Sequence, residues 1–152
     1  MLPIKKIFCP TDFSKPSYEA LKTANELALH FSAELTLIHV VSPIPTVPAS
    51  PAPKGFNFLS YQQEIEASAK KLLEQVTQEK ISREIKSRIM VIQGNPADEI
   101  VRMAAVGNAD MIVIATHGLT GWRKFIFGSI AEKVIRLAPC PVLSIQVSPD
   151  EE

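Results

Sequence analysis

Apolar and polar positions change rhythm repeatedly along this chain. Short apolar runs give way to segments in which apolar residues recur every three or four positions. The runs are "IKKIFC" (4–9), "ELTLIHVV" (34–41), "SRIMVIQ" (87–93), "ADMIVIAT" (109–116) and "VLSIQV" (142–147). Their length and β-branched content predict strands, and the near-continuous apolar character of 109–116 predicts a central strand covered on both faces. Between them, Leu21, Ala24, Ala28 and Phe31 share one face of a helix around 16–31. Ile65, Ala69, Leu72 and Val76 do the same for a helix over 58–80. A third helix follows 87–93: Asn95 can cap it, Pro96 suits its first turn, and Asp98 and Glu99 favour its positive end. A last helix spans about 129–138.

Strands alternating with helices predict an α/β fold with right-handed crossovers. The expected architecture is a single doubly wound, five-stranded parallel sheet with helices on both faces, in the flavodoxin-like order 3-2-1-4-5. With 152 residues and no internal repeat, one domain over 1–152 is expected. "SPIPTVPASPAPKGFN" (42–57) breaks the alternation, because it holds five of the twelve prolines and fits neither helix nor sheet interior. It is either a cover over the carboxyl end of the second strand or an extended surface loop.

Composition narrows the class. Hydrophobic residues make up 46% and charged residues 21%, as in a soluble globular domain. Sixteen basic and sixteen acidic side chains cancel without a basic block, which argues against nucleic acid as the main partner. The beginning, "MLPIKKIFCPTDF", lacks an apolar run of signal-peptide length, and nothing approaches the roughly 18 apolar residues of a membrane span. Cys9 and Cys140 form no metal-type spacing with each other or with the three histidines. Both read as reduced, buried small hydrophobes of a cytoplasmic protein.

The candidate chemistry lies in "IATHGLTGWRKFIFGS" (114–129), where three glycines, a histidine and two adjacent cations exceed what a chain reversal needs. Glycines leading into a helix start suit an anion, since the first turn leaves N–H groups unpaired and no Cβ blocks approach. Gly118 and the pair Gly128–Ser129 supply both ingredients. Ser129 and Glu132 also fit a capping box, so the Ser129 hydroxyl caps its helix, faces a phosphate oxygen, or does both. A P-loop and a dinucleotide fingerprint are both absent. "CPTDFS" (9–14) ends the first strand, which in the expected order neighbours the fourth at the switch point. Asp12 there either accepts hydrogen bonds from a ribose diol or caps the following helix. His30 and His39 read as structural.

These pieces resemble the universal stress protein family over essentially the full length of the chain. The resemblance rests on "PTDFS", "LIHVV", "GNPADEIV" and the long "THGLTGWRKFIFGSIAEKVIRLAPCPVLSI". The family's nucleotide-binding branch is marked by G-x-x-G, nine residues, then G-[ST]. Here Gly118 takes the second glycine, 119–127 are the nine, and Gly128–Ser129 close the motif; the first glycine is replaced by Ala115, adding a methyl near the expected ribose. The resemblance implies an ATP-binding protein, taking ATP or another adenine nucleotide with or without Mg²⁺. It further implies that Val40 offers its backbone to the adenine edge, with Pro10, Thr11 and Ile114 nearby. Asp12 and the Ala115 backbone would hold the ribose, and Gly118, Gly128, Ser129 and the Ile130 amide the phosphates. His117 would either contact phosphate or order the loop. Arg123 and Lys124 would either reach the phosphates or, as is commoner for such cations, stay solvated at the surface, and Trp122 would pack the loop.

The resemblance also implies antiparallel pairing of strand 142–147 with a second copy, giving a homodimer. The expected role is a regulatory stress-response protein and not an enzyme, with slow ATP hydrolysis at most. A non-nucleotide-binding dimeric interaction module of the same fold is the alternative, with an unidentified protein partner in either case.

Overall fold

The computed structural model describes residues 2–43, 54–117 and 127–147. The chain runs β1 (Lys6–Pro10), α1 (Lys15–Phe31), β2 (Glu34–Val41), α2 (Phe58–Lys80), β3 (Ser87–Gln93), α3 (Pro96–Val106), β4 (Met111–Ala115), α4 (Ser129–Leu137) and β5 (Val142–Ile145). All five strands are parallel, in the order β3-β2-β1-β4-β5. This is the expected doubly wound α/β sheet.

Strand alternation builds two cores. Ile7, Cys9, Leu35, Leu37, Val113 and Ala115 pack with Ala20, Leu21, Ala24 and Ala28 of α1 and Leu73 and Val76 of α2. The intervening Phe8, Ile38, Ile112 and Ile114 pack with Ala97, Ile100 and Ala104 of α3 and Ala131 and Val134 of α4. Adjacent residues of one strand thus feed opposite layers, which is why the central runs read as continuously apolar. Burying each of the larger aliphatic side chains contributes about 1.5–3 kcal/mol. Cys9 is free and fully enclosed, and burial pushes its thiol up to about 12. Cys140 is also free but only half-buried, which corrects its placement inside the core.

Local sequence fixes most helix ends. Ser14 caps α1 by accepting from the Ser17 amide, and Ser32 closes it in the left-handed conformation. Asn57 caps α2, and Asn95 caps α3 through the Asp98 amide, with Pro96 in the first turn as expected. Several strand boundaries differ from expectation. The Ala109 amide closes the end of α3 on the Ala104 carbonyl, and Asp110 accepts from the Lys5 and Lys6 amides, so β4 begins only at Met111. The sheet ladder likewise starts at Lys6 and ends at Ile145, although Ile4 is buried. On α2 the buried face carries Leu73, while Leu72 is exposed. Residues 44–53 of the proline-rich segment lie outside the described residues, and with them its expected role as a cover.

Candidate functional site

The sheet order reverses between β1 and β4, so their carboxyl ends, together with that of β2 and the starts of α3 and α4, surround one opening. A cavity of about 280 Å³ lies there. Its walls include Pro10, Thr11, Asp12, Val40, Ile114, Ala115, His117, Gly128, Ser129 and Ile130. Every expected site residue among the described ones is therefore brought together. Gly118, Trp122, Arg123 and Lys124 lie outside the described residues.

The β1–α1 turn is tied by hydrogen bonds. The Thr11 amide donates to the Ile38 carbonyl at 2.8 Å, fixing the exit of β1 against β2. The Thr11 hydroxyl accepts from the Phe13 amide at 3.1 Å and pairs with the Ser17 hydroxyl at 2.9 Å. The Asp12 Oδ1 accepts from the Ser14 amide at 3.0 Å and from the Ser14 hydroxyl. The helix cap is thus Ser14, and Asp12 braces that cap from two residues upstream. Its charge also reaches α1: burial, then the charges of Glu79 and Asp12, raise the pKa of Tyr18.

On the opposite wall, α4 begins without a side-chain cap. Gly128 occupies the cap position, and Ser129 is the first helical residue. The capping-box expectation for Ser129 is corrected: a hydroxyl one position inside the helix is past the place from which a cap reaches back to the first-turn amides. The amides of Ser129, Ile130 and Ala131 occupy the first turn, where no intrahelical acceptor exists, and all three residues line the cavity. Beside them, His117 holds the Thr116 hydroxyl at 3.0 Å through Nδ1, while its buried Nε2 has no hydrogen-bond partner among the described residues. An open helix start and an orphaned ring nitrogen are a fitting pair for an anionic group.

Ala115 stands where the motif has glycine. It is buried in the core cluster under α1, and Ile114 alone of the two belongs to the layer of α3 and α4. Its methyl therefore packs with that cluster, and the cavity is bordered by Ala115 without being closed by it. Several lining residues were not anticipated: Ser17, Ile38, Pro96, Ile100, Thr116 and Ala131. Most are ordinary core or capping residues that the crossing of strand ends carries to the cavity wall. His39, expected to be structural, does hold the fold, and it also lines the cavity.

The universal stress protein family's sequence profile matches residues 3–146. Universal stress protein MJ0531 of Methanocaldococcus jannaschii is 38% identical over 146 residues, which covers 93% of this chain and 82% of that protein. The solved structure of MJ0577 from the same organism has a TM-score of 0.80 at 28% identity, covering 95% of this chain and 97% of that one. An Arabidopsis thaliana universal stress protein solved with AMP bound shares the fold, with a TM-score of 0.63 at 18% identity, covering 97% of this chain and 94% of its own. With the profile spanning nearly the whole sequence and the sheet order matching, this chain belongs to the universal stress protein family.

Proposed function

We propose that the protein binds ATP, or another adenine nucleotide, in the cavity between β1 and β4, and acts as a nucleotide-dependent regulator in a stress response. The observation that carries this is the convergence at one cavity of the strand-end turn holding Asp12, the uncapped start of α4 and the Nε2 of His117, which is unpartnered among the described residues. Val40, Pro10, Thr11 and Ile114 would border the adenine, Asp12 and the Ala115 backbone the ribose. Gly118, Gly128, Ser129 and the Ile130 amide, with His117, would take the phosphates. ATP carries its own charge for that helix start, and Mg²⁺ can enter on the phosphates.

The assigned role is binding and not catalysis. Among the described lining residues Asp12 is the single carboxylate, and it braces Ser14. Phosphoryl transfer needs a positioned attacking group and metal ligands besides. A module that ignores nucleotide would be favoured by Ser129 acting only as a cap and by Ala115 obstructing the ribose. Ser129 is the first helical residue and the Ala115 methyl packs in the core, so both supports weaken.

A homodimer through 142–147 belongs to the same proposal. Among the described residues β5 pairs only with β4, which leaves one edge for another strand, and Leu143 is exposed there. A cytoplasmic location is proposed with it; among the described residues no helix is long and apolar enough to cross a membrane.

Thermal unfolding tests the nucleotide assignment. Ligand at a hundredfold excess over its Kd adds about 2.7 kcal/mol to the folded state, so ATP should raise the midpoint by several degrees. An unchanged midpoint at millimolar ATP would overturn the proposal.

A further inference from the structure

His39 sits on β2, yet its hydrogen bond goes to the turn after β1. Its Nδ1 lies 2.8 Å from the Thr11 carbonyl oxygen. A carbonyl only accepts, so Nδ1 carries the proton and the bond is present whether the ring is neutral or charged. The His39 ring also packs on Phe13, with centroids 4.5 Å apart and planes tilted by 39°. Phe13 is held at φ +63°, a left-handed conformation costly for a bulky side chain unless its surroundings impose it. Asp12 stands between these two grips, at Thr11 on one side and Phe13 on the other.

We infer that His39 is a positioning residue for the nucleotide site: by clamping Thr11 and Phe13 it sets the direction of the Asp12 carboxylate and so governs recognition of the ribose hydroxyls. This deepens the nucleotide assignment and rests on it. Within the turn, the Phe13 amide donates to the Thr11 hydroxyl and the Ser14 amide to Asp12. With Phe13 left-handed, the chain brings the Ser14 amide back to the carboxylate. The His39 side chain supplies the hold from outside the turn. His39 also borders the cavity, but this task is carried through Thr11 and Phe13 and needs no contact with the nucleotide.

Three versions of the 152-residue chain test it: wild type, His39→Leu and His39→Asn. The Asn amide stands in for Nδ1, whereas Leu keeps bulk and loses the donor. Calorimetry with ATP and with 2′,3′-dideoxy-ATP reads the ribose contact, and amide exchange of Phe13 and Ser14 in the nucleotide-free proteins reads the turn. His39→Leu should weaken ATP by about tenfold while barely changing the dideoxy analogue, the loss expected for a hydrogen bond to a charged group. Exchange at both amides should quicken, and His39→Asn should restore both readouts. If His39→Leu does not fold, His39→Gln replaces it, because the Gln amide reaches the position of Nε2 and not of Nδ1. Faster exchange with an unchanged preference for ATP over the dideoxy analogue would make His39 merely structural and overturn the inference. Unchanged exchange would overturn it as well. A wild type that binds neither nucleotide would remove the nucleotide assignment itself, and the ribose role with it, while the exchange data would still report whether His39 holds the turn.

Discussion

The Gly128 amide donates to the Thr116 carbonyl at 2.7 Å, joining the start of α4 directly to the end of β4. A Cβ on Gly128 would lie 3.0 Å from that same oxygen. Gly128 has φ −59°, so it is not glycine for want of conformational freedom. It is glycine because two backbones meet there, and that meeting aims the first amides of α4 into the cavity.

Gly128→Ala should therefore destabilise the protein by about 1–3 kcal/mol, the usual cost of forcing a methyl into a packed site. The helix start would shift with it, so ATP affinity should fall together with the unfolding midpoint. Thermal unfolding and a nucleotide titration of the variant check this; a variant with both properties of the wild type would show the contact to be slack.

Leu143→Lys combined with Ile145→Lys places charges on the free edge of β5, where a second copy is proposed to pair. Light scattering should then report monomers, with a loss of thermal stability that comes from Ile145, which packs against the core, more than from the exposed Leu143. A persisting dimer would place the interface elsewhere.

Glu34 gives a prediction in pH. Its carboxyl is held below the ordinary carboxylate range, first by the hydrogen bond from Lys86 and then by the charges of Arg88, Lys86 and Lys6, with burial opposing. The ion-pair distances are 2.9 Å to Lys86 and 2.7 Å to Arg88. A carboxyl depressed in the folded state stabilises above its unfolded pKa, and that stabilisation disappears as the pH falls through the folded value. Both cations are largely exposed, so solvent screening keeps the contribution to about 0.5 kcal/mol. Denaturant unfolding should show Glu34→Gln weaker than wild type at neutral pH and equal to it once the wild-type carboxyl is protonated. A difference that grows on acidification would contradict this assignment.

Much of the molecule was legible because local patterns and global packing agree. Asn95, Pro96, Asp98 and Glu99 mark the start of α3 within a few residues of chain, and the structure uses them as that pattern implies. Leu72 was less tractable: positions 72 and 73 both satisfy helical spacing from Ala69, and only the direction in which α2 meets the sheet selects Leu73. Ser129 failed as a cap for a similar reason. S-x-x-E describes one helix start, but the contact between Gly128 and Thr116 moves the start back by one residue. The left-handed Phe13 and the reach of His39 across to Thr11 carry no sequence signal at all, since both depend on β1 and β2 lying side by side.

The central claim is that the cavity at the β1–β4 switch point holds an adenine nucleotide by its phosphates. Calorimetric titration of the nucleotide-free protein with ATP, with and without Mg²⁺ and against AMP, tests it most directly. The account predicts saturable binding near one ATP per chain, weaker for AMP, which presents fewer phosphates to the start of α4 and His117. Absence of heat and of any thermal shift with ATP would contradict it.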